Sequence, residues 1–212
     1  MLLGKSLLVR REISIFFVII TALGLYSCGS KDKLPVYGER ELGDKGDTLY
    51  HTIPAFSFVN QFGETITNNK FDNHIYVADF FFTTCPGTCP IMTTSMVDLQ
   101  SQIGKGKLVK FLSHTVNPET DSIAALLSYA EKKGADFSSW DFVTGNKQEL
   151  YEIAAQYFAV AAEDVTDDLN FIHSEHLILV DKKGRVRGLY SGVVQQEVAQ
   201  LEKDIKVLLL EN

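Results

Sequence analysis

The sequence alternates short apolar segments with stretches whose apolar residues recur at helical spacing. The run 77–82, Val-Ala-Asp-Phe-Phe-Phe, predicts a strand that is covered on both faces. Pro86 and Gly87 then break the chain, and Pro90 suits the first turn of a helix, where a missing N–H costs little. The helix that follows is predicted to bury one stripe, formed by Met92, Met96, Leu99 and Ile103.

The rest of the chain continues this alternation of strands and helices. Further strands are predicted at 55–59, 65–67, 108–116, 140–143, 177–180 and 186–190, and further helices from 121, after 146 and from 194. This order predicts an α/β fold with a mostly parallel central sheet, helices on both faces and an extra N-terminal hairpin. An antiparallel hairpin and a helix at the C-terminal end are typical of the thioredoxin-like arrangement.

The first 28 residues have the pattern of an export signal. Positive charges come first, and an apolar run of about thirteen residues follows from Ile13 to Leu25, too short for a spanning helix of about twenty. The run ends in Leu25-Tyr26-Ser27-Cys28, which resembles the lipobox of bacterial lipoproteins, in which the cysteine is lipidated. This predicts a lipid anchor at Cys28 and a location in the bacterial cell envelope, facing the periplasm. An uncleaved membrane anchor is the alternative.

Residues 29–50 are predicted to form a flexible tether. They contain four glycines among charged and polar residues and few apolar ones, so they cannot bury a core by themselves. The folded domain is therefore predicted to cover residues 51–212.

Cys85 and Cys89 are the residues with the most distinctive chemistry. They stand where a strand ends and a helix begins, and a helix N-terminus favours a thiolate. A thiolate is both a redox nucleophile and a soft-metal ligand. The pair is therefore predicted to form a reversible disulfide or to bind a metal. Two inert core cysteines are the structural alternative.

Composition excludes few functions. The formal net charge is −7 and no run of basic residues occurs, which argues against a nucleic-acid partner. Only two of the three cysteines lie in the predicted domain, so the chain is not a disulfide scaffold.

Several segments together resemble the Sco/SenC family of membrane-tethered copper proteins over about residues 50–212. These are Asp79–Pro90, Val116-Asn117-Pro118-Glu119, Phe171-Ile172-His173-Ser174, Asp181-Lys182-Lys183-Gly184 and the lipoprotein-like leader. The resemblance implies a thioredoxin-like copper chaperone that assists assembly of the CuA site of cytochrome c oxidase. Its implied partner is the copper-site subunit of that oxidase or another exported copper protein.

The resemblance also implies the ligands of one copper ion, Cu(I) or Cu(II). They are Cys85, Cys89 and a histidine ahead of the last hairpin. His173 matches the family position and is expected in a loop, whereas His176 is expected to begin the strand. Asn117 replaces an aspartate that is frequent in the family, and it is expected to lie close to the ligands without binding copper.

Two other functions compete with copper delivery. A thiol–disulfide oxidoreductase acting on exported dithiols would use the same two cysteines, but such proteins place a proline before the late hairpin, and this chain has none after Pro118. A thiol peroxidase would need a threonine three residues before its reactive cysteine, and Phe82 and Pro86 stand there. Copper binding without enzymatic activity is therefore favoured, with the oxidoreductase as alternative.

Overall fold

The computed structural model describes residues 33–103, 108–163 and 171–211, with the backbone alone for 161–163 and 171–173. The predicted leader with Cys28, and residues 29–32 of the predicted tether, lie outside these ranges. None of the helices in the described part of the chain is long and apolar enough to cross a membrane.

A seven-stranded sheet forms the centre of the domain, in the order β11-β10-β5-β6-β7-β3-β4. Two further pairs, β1–β2 and β8–β9, lie outside that sheet. The strands are β1 Arg40–Leu42, β2 Thr48–Tyr50, β3 Ser57–Asn60, β4 Thr65–Thr67, β5 Ile75–Phe81, β6 Val109–Thr115, β7 Trp140–Thr144, β8 Ala161–Glu163, β9 Phe171–His173, β10 His176–Val180 and β11 Val186–Ser191.

The described residues form four α-helices and one short 3-10 helix. They are the 3-10 helix Asn68–Phe71, α1 Cys89–Ile103, α2 Ile123–Lys133, α3 Lys147–Gln156 and α4 Gln195–Leu210. Helices cover both faces of the sheet. Adjacent residues of a strand point to opposite faces, so the contacts of Phe80 and Phe81 report on one face each. Phe80 meets Tyr157 at the end of α3, whereas Phe81 meets Tyr129 of α2. The predicted α/β fold with helices on both faces is confirmed.

The sheet is mixed rather than mostly parallel, which corrects one detail of the prediction. Among neighbouring strands of this sheet, only the pairs β5–β6 and β6–β7 are parallel. A hairpin flanks them on each side, because β10 pairs antiparallel with β5 and β3 pairs antiparallel with β7. Strands joined by a tight turn must be antiparallel. With each hairpin also paired antiparallel to its neighbour, four pairs of this sheet are antiparallel and two are parallel.

The N-terminal hairpin β3–β4 is present as predicted. Its turn places Gly63 at a φ of 78°, a conformation that favours glycine. The Asn60 side-chain oxygen accepts hydrogen bonds from the backbone N–H groups of Phe62 and Glu64, both at 3.0 Å. The turn residues Asn60 and Gly63 therefore stabilise this hairpin through local interactions.

Residues 33–50 contain regular structure that the composition did not indicate. The hairpin β1–β2 pairs Arg40 with Tyr50, and the Tyr50 ring lies 5.5 Å from the guanidinium carbons of both Arg40 and Arg185. Just before it, the backbone N–H of Tyr37 donates to the Val186 carbonyl at 2.9 Å. The division into a tether and a domain at residue 50 stays a prediction.

The predicted stripe on α1 packs into the core. Met92 and Met96 are fully buried, Leu99 is buried and Ile103 is partly buried. The two methionines therefore fill the space between α1 and the sheet. This packing fixes the first helical turn, which carries Cys89, against the end of β5.

Candidate metal centre

Cys85 and Cys89 lie together at the carboxyl end of β5. Cys85 is half-buried in the loop after the strand, and Cys89 is the first residue of α1 and fully buried. Both are thiols that form no disulfide, and a hydrogen bond joins them. Pro86 and Gly87, between them, are exposed. The pair therefore faces the surface through the short loop that separates the two cysteines.

Burial reverses the expected acidity of Cys89. Burial raises its pKa above the ordinary thiol value, and the hydrogen bond with Cys85 raises it further, while the backbone of Phe82 opposes the rise. The nearby Asp79 also disfavours a second negative charge. A helix N-terminus favours a thiolate, but here desolvation outweighs that effect. Cys89 therefore keeps its proton until a partner displaces it.

Asp79 is a buried carboxyl group in the middle of β5. It is 1% exposed, and burial raises its pKa from 3.8 to about 7, against a hydrogen bond with Ser113 that lowers it. Ser113 lies opposite Asp79 in the parallel β6 and accepts a 2.9 Å hydrogen bond from the Trp140 indole. Near neutral pH this carboxyl can therefore hold or release a proton beneath the dithiol.

Asp121 holds the loop that leads to Cys85. Its carboxylate accepts hydrogen bonds from the Thr83 backbone N–H at 3.1 Å and from the Thr83 hydroxyl at 2.5 Å. It also accepts from the Thr115 hydroxyl at 2.5 Å, at the end of β6. Asp121 is fully buried. One carboxylate thus joins the approach to Cys85 with the neighbouring parallel strand.

Asn117 lies in the turn that Asp121 closes. The backbone N–H of Asn117 donates to the Thr115 hydroxyl, and its carbonyl accepts from the backbone N–H of Asp121, both at 2.9 Å. In the strand next to it, Phe81 accepts a backbone hydrogen bond from Val116 at 2.8 Å. The backbone of Asn117 therefore lies at the same end of the sheet as the cysteines. Its place near the ligands stays a prediction.

The backbone of His173 belongs to the same end of the fold. His173 ends β9 and pairs with Ala161, so it lies in a short strand and not in the predicted loop. The carbonyl of Glu175, two residues on, accepts a 2.7 Å hydrogen bond from Gly192, whose own carbonyl accepts one from Ser95 of α1. This chain of contacts ties the segment after His173 to the helix that carries Cys89. The His173 side chain is outside the described set.

His176 begins β10, as predicted, opposite Ser191. It is partly exposed, and its Nδ1 is buried without a hydrogen-bond partner among the described residues. His176 is therefore the alternative nitrogen donor that experiments must separate from His173. The side chains that the structure describes contain no group of three or more His, Cys, Asp or Glu arranged to hold a metal.

His114 is a residue of the core. It is fully buried, and its ring stacks on Phe80 with the ring centroids 4.7 Å apart. Burial lowers its pKa from 6.5 to about 3, although the backbone of Asp79 opposes the change. The ring is therefore neutral at any physiological pH.

Sequence reasoning missed Asp79 and Asp121 as parts of this site. Asp79 was visible as one acidic residue inside an otherwise apolar strand, which is a signal of a buried carboxyl group. The sequence offers Asp121 or Ser122 as the cap of the helix that follows, and Ser122 is the cap, because its hydroxyl accepts a hydrogen bond from the Ala125 backbone N–H. Nothing local in the sequence links Asp121 to Thr83, which lies 38 residues earlier.

Comparison with known proteins decides the family. The SCO1/SenC family model matches residues 45–209. The chain belongs to the SCO1/SenC family. It is 32% identical over 162 residues to the SCO1 protein homolog of Bacillus subtilis, covering 76% of this chain and 84% of that protein.

Solved structures of the family have the same fold. A SCO1/SenC family lipoprotein from Bacillus anthracis is 28% identical, with a TM-score of 0.69 over 74% of this chain and 95% of that one. BsSco, described as a Sco-family cytochrome c oxidase assembly protein with a disulfide switch, is 30% identical, with a TM-score of 0.67 over 76% and 95% of the two chains. Bradyrhizobium japonicum ScoI, solved with copper bound, is 21% identical, with a TM-score of 0.63 over 74% and 99%. The thioredoxin-like fold is confirmed.

Proposed function

We propose that this protein is a membrane-tethered copper chaperone that binds one copper ion and assists assembly of the CuA site of cytochrome c oxidase. Its ligands are Cys85, Cys89 and His173. The observation that carries the proposal is the pair of reduced, hydrogen-bonded thiols at the strand-to-helix junction of a SCO1/SenC chain. Family membership supports the proposed recipient, the copper-site subunit of the oxidase or another exported copper protein.

The donor set suits copper. Thiolate sulfur is the soft donor that Cu(I) prefers, and an imidazole nitrogen also binds Cu(II). A structural zinc site would take a fourth protein ligand. Three donors leave the metal open on one side, which suits an ion that must be handed to another protein.

The residues around the dithiol control its protons. Copper binding needs both thiols deprotonated, and the buried Cys89 holds its proton more tightly than an ordinary thiol. Asp79, with a pKa of about 7, lies close enough to the pair to disfavour its charge. Loading is therefore expected to release protons and to become tighter as the pH rises through the neutral range.

The anchor is a separate part of the proposal. We assign lipidation to Cys28 because the leader ends in a lipobox-like sequence. The Bacillus anthracis relative, described as a lipoprotein, supports this assignment. The domain is thereby held at a membrane of the bacterial envelope and faces the periplasm.

A thiol–disulfide oxidoreductase is the second candidate. The disulfide switch described for BsSco and the contact between the two thiols here favour it. In that reaction Cys85 and Cys89 lose two electrons and two protons to form a disulfide, and the disulfide of an exported protein gains them to become a dithiol. The same pair could serve both reactions in turn.

Alanine replacement of each cysteine and each candidate histidine tests the ligand set. Reduced wild-type protein and the single variants Cys85→Ala, Cys89→Ala, His173→Ala and His176→Ala are titrated with Cu(II), and the thiolate-to-copper charge-transfer band is recorded. The first three variants should lose the band and tight binding, and His176→Ala should keep both. His173→Ala should still hold Cu(I), because two thiolates suffice for a linear site. Loss of the band in His176→Ala but not in His173→Ala would reverse the assignment, and no effect of either would favour the oxidoreductase.

A further inference from the structure

Arg187 fixes the start of the described chain to one end of the domain. Its side chain is 3% exposed. Nε donates to the Pro35 carbonyl at 2.8 Å and an Nη to the Leu34 carbonyl at 2.7 Å. The guanidinium also pairs with Asp181 and Glu211, each at 3.0 Å. A buried guanidinium that binds two carboxylates and two carbonyls restrains this segment to one orientation on the domain.

Backbone hydrogen bonds extend this attachment along the chain. The N–H of Leu34 donates to the Glu211 carboxylate at 3.3 Å. The N–H of Tyr37 donates to the carbonyl of Val186, and the N–H of Ile53 donates to the carbonyl of Gly184. The chain therefore enters the domain beside the turn between β10 and β11.

This entry point lies at the end of the sheet opposite the dithiol. Val180, at the end of β10, pairs with Tyr76 near the start of β5, whereas Cys85 follows the other end of β5. Seven strand residues separate the two ends, which corresponds to about 20 Å. We call the end formed by Lys33, Leu34 and the turn 181–184 the entry pole.

The entry pole presents positive charge. Lys33, Lys182 and Lys183 are exposed, and Lys182 and Lys183 form no ion pair with the described residues. Two acidic groups of this end, Asp181 and Glu211, are paired with arginine. In a chain with a net charge of −7, this cationic end stands out.

The chain that precedes the entry pole is short. Cys28 stands five residues before Lys33, and five extended residues span at most about 18 Å. If Cys28 carries the lipid anchor of the proposed function, the entry pole must stay close to the membrane. A cationic surface near a bilayer is attracted to anionic headgroups.

We propose that the entry pole rests on the anionic surface of the bilayer, with Lys33, Lys182 and Lys183 against the headgroups and the Cys85–Cys89 end directed away from the membrane. Arg187 binds the backbone of Leu34 and Pro35 and so attaches the segment that follows the anchor to the domain. This inference rests on the lipid anchor but not on copper binding.

Lysine labelling tests the orientation. The full chain is inserted into vesicles of phosphatidylcholine, or of one part phosphatidylglycerol to two parts phosphatidylcholine, and labelled with a water-soluble amine reagent. Labelling of Lys33, Lys182 and Lys183 should slow about fivefold or more on the anionic vesicles. The attraction of one lysine to such a surface favours its bound position by about that factor. Lys147, at the start of α3 on the dithiol side, should keep its rate.

Charge reversal supplies the matched control. Lys182→Glu with Lys183→Glu should restore fast labelling of Lys33, whereas Lys132→Glu with Lys147→Glu should not. Equal labelling of all lysines on both vesicles, or stronger protection of Lys147, would overturn the orientation. A full chain that does not float with vesicles would overturn both the anchor and this inference. Copper titration of the same sample tests the proposed function separately.

Discussion

Replacing Asp121 tests whether one buried carboxylate holds the loop that leads to Cys85. Asp121→Asn keeps the size of the side chain but removes its charge. It also places an amide N–H₂ where Thr83 and Thr115 donate hydrogen bonds. The two hydroxyls and the Thr83 backbone N–H then compete for one acceptor oxygen.

The expected cost follows from the number of donors. A hydrogen bond to a charged group contributes about 1.5–3 kcal/mol, and a buried donor left without a partner costs about 1–3 kcal/mol. With two hydroxyls able to rotate, we expect Asp121→Asn to lower the free energy of unfolding by about 2–3 kcal/mol. Asp121→Ala, which removes every acceptor, should cost about 3–5 kcal/mol.

Guanidinium unfolding of the reduced protein measures the loss in free energy of unfolding. The dependence of this free energy on denaturant concentration, the m value, should be the same in variant and wild type. Asp98→Asn, at an exposed position of α1, is the matched control and should change stability by less than about 0.5 kcal/mol. Thr115→Val combined with Asp121→Asn should cost less than the sum of the two single changes, by about 1 kcal/mol. The equilibrium between the dithiol and disulfide forms should also shift, because the Cys85 loop is released. A loss as small as that of Asp98→Asn would refute the role of Asp121.

The remaining predictions concern buried charge. Asp79→Asn should stabilise the reduced protein at pH 8 but not at pH 4. Because folding raises the pKa of Asp79 from 3.8 to about 7, the protonated carboxyl contributes about 4 kcal/mol at most to the free energy of unfolding. This contribution is complete below pH 3.8 and is lost as the pH rises through 7. Parallel unfolding curves that keep the same separation at both pH values would contradict this. Burial alone would raise the pKa of Asp181, but hydrogen bonds from Arg185, Lys183 and Arg187 lower it on balance. Its contribution is present above pH 3.8 and is lost as pH falls through the lowered value, so Asp181→Asn should flatten the acid limb of a stability profile. An unchanged acid limb would argue against that ion-pair cluster.

Sequence patterns predicted those parts of the fold whose cause is local. The buried strand, the break at Pro86 and the apolar stripe of α1 all lie within one window, so the junction that carries Cys85 and Cys89 followed from them. The hairpins with Gly63 and Gly184 followed because both glycines adopt positive φ in tight turns.

Features that depend on distant contacts were not predictable in this way. The attachment of Leu34 and Pro35 to the rest of the fold depends on Arg187, which lies 152 residues after Pro35. The protonated state of Cys89 depends on burial by the assembled sheet, whereas its sequence position suggested a thiolate. Tertiary packing, in both cases, outweighs the local signal.

Copper binding by the dithiol is tested most directly by a Cu(I) titration of the full chain in two redox states. One sample is reduced, and in the other the Cys85–Cys89 disulfide is formed and verified by mass. The reduced protein should bind one copper per chain, and the oxidised protein should bind none, because a disulfide offers no thiolate. Equal copper stoichiometry in the two samples would show that these thiols are not the ligands.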